Sequence, residues 1–249
     1  MSKLAIKFMW ALYKKELTGF FGSLTGYIVI AAFLMANALF MWLLPGNIFE
    51  SGYAVIDPLF MNAPFIYLIL IPAITMRSFA EEKKAGTIES LLTKPITDIK
   101  IVLAKYSAGL TVVLFSLIPT LIYVLSIYQL ASPLGDTDLG SIWGSYLGLL
   151  LLGSVYVAVG IFTSTLTENQ IIALIYSVSI CLFLTWGLDM ISRFNNLKFI
   201  DLLILNLGIS EHYNSISRGV IDTRDVLYFG SANILFLFAA NLMLQKRKW

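Results

Sequence analysis

Charged residues cluster along the chain, and between the clusters lie six stretches free of Asp, Glu, Lys and Arg: residues 17–49, 58–76, 106–135, 139–167, 169–188 and 226–245. A helix needs about 20 apolar residues to cross the ~30 Å hydrocarbon core of a bilayer, so each stretch holds one span and none holds two. The pattern predicts spans over about 24–44, 58–76, 106–130, 141–165, 170–190 and 226–244. A seventh apolar run, Leu202 to Ser210, is too short to cross and is expected to lie at the interface or to re-enter. The fold class that follows is an all-α integral membrane protein, with residues 1–249 as one domain.

Composition agrees. Of the 249 residues, 58% are apolar or aromatic and 13% charged, with a mean hydropathy of +0.83, too little charge to cover a soluble surface. A single cysteine, Cys181, excludes a disulfide framework or a multi-cysteine metal site within the chain. The net charge of +2 gives no footing for nucleic acid. No bound cofactor, metal or catalytic residue is expected. Ala36-Asn37-Ala38 resembles a signal-peptide cleavage pattern, but the apolar run continues through Leu44, well beyond an h-region of about 7 to 15 residues, so the first span is expected to be retained.

Six spans put both termini on one side, and thirteen of the 17 basic residues fall there: Lys3, Lys7, Lys14 and Lys15 before span 1, six between Arg77 and Lys105, and Lys246, Arg247 and Lys248 after span 6. Only Arg193, Lys198, Arg218 and Arg224 fall on the other side. The positive-inside rule makes the first side cytoplasmic.

Several segments do more than cross. Residues 3–21 place Lys3, Lys7 and Lys14 on one stripe and Phe8, Leu12 and Leu17 around the rest, predicting an amphipathic interfacial helix over 1–22; the plain alternative is a basic topogenic tail. Arg77 to Lys105 is far longer than a connector requires. Its helix formers, broken at Gly86 and Pro95, predict two short helices about a tight bend, with Thr97 or Asp98 capping span 3. Arg77, Glu81, Glu82, Gly86, Thr87 and Glu89 are the candidate docking residues for a soluble partner, against the reading of a solvated loop.

Gly140, Gly144 and Gly148 form a small-residue ridge suited to close helix packing, within the chain or against another subunit. Pro72 and Pro119 are expected to kink spans 2 and 3. Ser116, Thr120 and Tyr123 give span 3 one mildly polar face, which either lines a pathway or bonds its own helix backbone. Asp189 and Arg193 are spaced for an interfacial ion pair, Asp222 or Thr223 for capping span 6, and His212 has no partner at readable spacing.

The stretch IPAITMRSFAEEKKAGTIESLLTKPITDIKIVLAKY, residues 71–106, resembles the cytoplasmic loop of ABC-2 type permeases, the membrane subunits of ABC transporters. The resemblance runs through STLTENQIIA (164–173) and SISRGVIDTRDVLYF (215–229). More narrowly, PAITMRSFAEEK, LIPTLIYVLSIYQL and SISRGVIDTRD resemble the branch of that family associated with gliding motility in the Bacteroidetes. The resemblance implies a permease in the bacterial inner membrane, with residues 1–22 as a connecting helix and Arg77 to Leu92 as the coupling region. It further implies a separate P-loop ABC ATPase that uses the ATP, and pairing with a second permease copy or a companion membrane subunit. No G-x-x-x-x-G-K-[ST] occurs, so this chain has no P-loop of its own. An intramembrane enzyme would need ionisable groups within the spans, which are nearly free of them; a non-transporting anchor for a cytoplasmic partner is the alternative.

Overall fold

In lipid a backbone without partners must bond within its own segment, so long apolar runs become helices. The computed structural model describes residues 2–89, 96–133, 135, 137–194 and 205–246, and every regular element among them is helical. The chain forms α1 (Ser2–Phe21), α2 (Leu24–Trp42), the single-turn α3 (Ile48–Ser51), α4 (Asp57–Thr75) and α5 (Arg77–Lys84). Then come α6 (Asp98–Leu117), a 3-10 turn over Ile118–Thr120, α7 (Leu121–Leu130) and α8 (Leu139–Leu166). The last third holds α9 (Gln170–Leu182), a π-helical turn over Phe183–Gly187, α10 (Leu188–Phe194), α11 (Ile209–Ser217) and α12 (Thr223–Gln245).

Among the described residues five helices are long and apolar enough to cross a membrane: Asp57–Lys84, Asp98–Leu130, Leu139–Leu166, Gln170–Ser192 and Thr223–Gln245. The pair α1–α2, bent by 62°, brings the number up to six. This is the all-α membrane architecture that the charge-free runs predict. The bend sets α1 off from α2, and α1 is held by packing within the bundle. Leu12 is buried and the Tyr13 hydroxyl pairs with Thr111 Oγ1 at 3.0 Å, so α1 is seated along α6.

The centre of the bundle is α8, which carries no charged residue and packs against α4, α6, α9, α11 and α12. In its apolar window 78% is buried, against 22% for the span of α9 and α10 and for α12. A helix apolar on every side has to be interior, and its glycines let neighbours approach.

The segment from Arg77 to Lys105 is largely helix, as its helix formers predict: α5 prolongs α4 up to Lys84, and α6 starts at Asp98, at the expected cap and eight residues before the charge-free run. Charge stops the hydrocarbon-crossing part of a helix, not the helix itself. Pro72 lies inside α4, which runs on to Thr75, and so does Pro64. Pro119 does leave its mark, as the 3-10 turn between α6 and α7. Thr97 occupies the N-cap position of α6, with no side-chain capping bond. Pro95, most of the second short helix, residues 202–204 and the side chain of Arg193 lie outside the description.

Candidate functional site

The first turn of α5 begins where α4 breaks at Met76, and a helix start leaves backbone N–H groups without partners. Ser164, near the end of α8, fills the gap: its Oγ accepts from Phe79 N at 2.8 Å and Ala80 N at 3.0 Å and donates to the Met76 carbonyl at 3.1 Å. Lys83 is buried and donates to the carbonyl of Thr165, placing a cation at the negative end of the α8 dipole. α5 is therefore clamped onto the end of α8 by a hydroxyl and an ammonium.

The other side of α5 joins a buried ion cluster. Lys105 of α6, with its side chain only 1% exposed, sits 2.8 Å from Glu16 of α1 and 3.1 Å from Glu82 of α5. Its ammonium also donates to the Ser78 carbonyl at 2.7 Å and lies 4.9 Å from the centre of the Phe79 ring. Lys15 approaches Glu82 at 3.5 Å from the solvent side. One lysine thus ties three helices. Removing one member of such a buried cluster costs about 3–5 kcal/mol, because the remaining charges stay desolvated without compensation. A cavity of about 670 Å³ opens beside the cluster, walled by Ser23, Ala73, Arg77 and Glu81 among others.

What remains exposed is a stripe. Phe79, Ala80 and Lys83 face inward, while Arg77, Glu81 and Lys84, at i, i+4 and i+7, lie on the open face. The stripe continues into a turn. Thr87 N bonds the Glu82 carbonyl at 3.0 Å and Gly86 N that of Lys83 at 3.1 Å, a Schellman pair whose C′ residue must be left-handed. Gly86 has φ of +68°, which a side chain would strain. Glu89 is exposed just after it and Ile88 is buried beneath. Of the six residues singled out in the sequence, Arg77, Glu81, Gly86, Thr87 and Glu89 lie together on the surface. Glu82 turns inward to the lysine.

The polar face of span 3 is a set of fasteners. Ser116 and Thr120 are buried; each donates to its own helix, at Val113 and Leu117, and each meets a tyrosine, Tyr67 at 3.2 Å and Tyr146 at 2.9 Å. Tyr123 donates to the Leu34 carbonyl at 3.1 Å. None of the three lines the cavity beside the ion cluster or the one at the opposite end of the bundle.

The glycine ridge packs on α11. A Cβ at Gly144 would lie 2.9 Å from Gly219 Cα and from the Ile216 carbonyl, and one at Gly148 would lie 3.3 Å from Ile216 Cγ2; Gly140 faces only its own cap, Asp138. Approaches as close or closer occur further along the same helix, where a Cβ on Gly153 would sit 2.9 Å from Val113 and one on Gly160 would overlap Thr75 Oγ1. The four-residue spacing that picks out the first three misses these two.

His212, without a partner on sequence grounds, has three in the fold. Its Nδ1 is 2.7 Å from Asp225 Oδ1, its Nε2 is 2.9 Å from the Asn206 carbonyl, and its ring stacks on Tyr228 at 3.9 Å. It clasps α11 to the first turn of α12, whose cap is Asp222, accepting from Arg224 N at 2.9 Å. Among the described residues no group of three or more His, Cys, Asp and Glu is placed to hold a metal ion.

The sequence model of the ABC-2 family transporter proteins matches residues 10–243, nearly the whole chain. The chain belongs to that family. It is a membrane permease subunit, of the kind that works with an ABC ATPase. No curated protein matches it in sequence. For an ABC-2 permease, the clamped helix with an open charged stripe is the feature of interest, since it is continuous with a membrane-length helix and leaves a charged face open.

Proposed function

We propose that the clamped α5 and the turn at Gly86 receive motion from the ATPase and pass it to the spans. The supporting observation is the two-sidedness of α5: its inner face is fixed to α8, α6 and α1 through Ser164, Lys83 and the Lys105 cluster, and its outer face carries Arg77, Glu81 and Lys84 unburied. A displacement applied there cannot be absorbed locally. It moves α4 as the same rod and drags α6 and α1 through Lys105. The ATPase partner binds and hydrolyses ATP, and this chain supplies the membrane pathway.

Thirteen of 17 bases on one side support a cytoplasmic position for this junction and both termini, and the family supports a bacterial inner membrane. The stretches PAITMRSFAEEK, LIPTLIYVLSIYQL and SISRGVIDTRD support a GldF-like permease of gliding motility, with a GldA-like ATPase and a GldG-like companion membrane subunit or a second permease copy.

The test is copurification and ATP turnover in reconstituted membranes. Glu82 holds the ion cluster, so the informative changes are Glu81→Lys with Glu89→Lys, which reverse surface charge, and Gly86→Val, which opposes the positive φ. Both variants are expected to insert normally and to lose ATPase capture or substrate-coupled hydrolysis. Wild-type capture and turnover in both would make the turn a solvated connector. Capture with ATP turnover independent of the permease would make the chain an anchor. Cysteine labelling at position 84 from outside intact cells would overturn the orientation.

A further inference from the structure

At the end of the bundle away from the ion cluster, a cavity of about 440 Å³ opens between the start of α4, the start of α8, the π-helical turn and α11. Three charges border it, the carboxylates of Asp57 and Asp189 and the guanidinium of Arg218. Among the described residues none of the three takes part in an ion pair, and Asp189 Oδ1 is buried without a hydrogen-bond partner. Asp57 and Arg218 are exposed to water, whereas the buried Asp189 oxygen is costly unless a guest compensates it.

The hydroxyls in the wall say which guest. Ser145 and Ser141 donate to the Ser217 carbonyl at 2.8 and 3.4 Å, Ser217 to that of Asn214 at 3.1 Å, and Ser210 to that of Thr185. Their protons are committed to backbone, so they offer lone pairs. Four such hydroxyls and two carboxylates make a wall that accepts, and it suits a cation with several N–H donors. Arg218, exposed at the rim, is the matching donor for an anion attached to that cation.

The cavity also has an apolar flank. On α4, Met61 and Phe65 follow Asp57 at i+4 and i+8, about 6 and 12 Å further along the helix. Met61 is 71% and Phe65 54% exposed, and Phe65 stacks on Trp186 at 4.4 Å, extending the strip sideways. A charged head at Asp57 with an apolar strip running down the helix is the profile of an amphiphile standing in one leaflet. The geometry points to a binding site for an amine-headed phospholipid: a primary ammonium between Asp57 and Asp189, its phosphate at Arg218, and an acyl chain along Met61, Phe65 and Trp186. A quaternary ammonium lacks the N–H donors that the hydroxyl wall accepts, and an anionic head lacks the cation. This site is independent of the proposed coupling function.

Native mass spectrometry of the delipidated, detergent-solubilised chain tests it, with phosphatidylethanolamine, phosphatidylcholine and phosphatidylglycerol of matched chains. The expected result is preferential retention of phosphatidylethanolamine, about tenfold over the other two, the effect of one charged hydrogen bond. Asp57→Asn and Arg218→Gln, both at exposed positions, should each lower that retention by a similar factor while leaving the melting temperature of the lipid-free protein unchanged. Equal retention of the choline lipid, preference for the glycerol lipid, or undiminished binding in both variants would overturn the assignment. So would equal competition by soluble phosphoethanolamine, which would make the guest a free phosphoamine, or lipid-independent stabilisation by an oligosaccharide.

Discussion

The two ends of α8 are held by opposite means. At its C-terminal end Ser164 and the Thr165 carbonyl take hold of α5, and the neighbouring contacts run through Lys105, Glu16 and Glu82. At its N-terminal end Gly144 and Gly148 let the backbone of α11 come within van der Waals distance, and the bonds are neutral: Ser145 to Ser217, and Tyr213 of α11 to the Phe60 carbonyl of α4 at 2.6 Å. Burial pushes the Tyr213 phenol above its ordinary pKa, so it stays a donor across the physiological range. Ionic contacts act over several ångströms and survive small displacements, whereas a contact made by a missing side chain is lost on the first ångström of separation. The first end suits a joint that transmits movement while remaining connected, and the second a joint that keeps a fixed register.

Three substitutions break this comparison at different places. Lys105→Met should have the largest effect, destabilising by about 3–5 kcal/mol, since Glu16 and Glu82 are left half-buried without their cation. Thermal melts in detergent would check it, and adding Glu16→Gln and Glu82→Gln to the same variant should restore most of the loss. If the single change melts like wild type, the cluster is no joint. Gly144→Leu should cost about 1–3 kcal/mol by driving α11 away from α8, with Gly230→Leu, at an open position, as the neutral control. Gly153 is unfit for that comparison, because Val113 already fills the space beside it. Tyr213→Phe is expected to be mildest, about 1–2 kcal/mol, from one buried carbonyl left without a donor. Its melting shift should be insensitive to salt, whereas the shift of the exposed Lys15→Ala pair with Glu82 should shrink as salt rises.

Much of this was legible before any coordinates. Gaps between charges locate the spans because lipid excludes charge, and Gly86 marks its turn because only glycine takes that φ without strain. The candidate docking residues could be grouped because they lie close together in the sequence, between Arg77 and Glu89. The ion cluster could not be, since 89 residues separate Glu16 from Lys105 and only the packing of α1 on α6 brings them together. A local hint existed: Lys105 falls on the apolar stripe of Ile101, Ala108 and Val112, where a lone lysine has to find carboxylates or strand its charge. His212 and Asp225 are 13 residues apart on different helices, and no helical period links them. The reach of the glycine ridge was legible in kind, but its partner, the short α11, was hidden in a run too brief to read as a helix.

Pro64 gives the Tyr213 bond a further meaning. A proline has no N–H, so the carbonyl four residues earlier, Phe60, is released from the ladder of α4 and is claimed by a helix far along the chain. Met76, where α5 is pinned, lies 16 residues from Phe60, roughly 24 Å along the rod. Tilting that rod by roughly 5° about its pinned end would carry the Phe60 carbonyl sideways by about 2 Å, more than a hydrogen bond tolerates. Under such a tilt either α11 would travel with the rod as its follower or the phenol would let go, which leaves the far end of α4 two states of engagement.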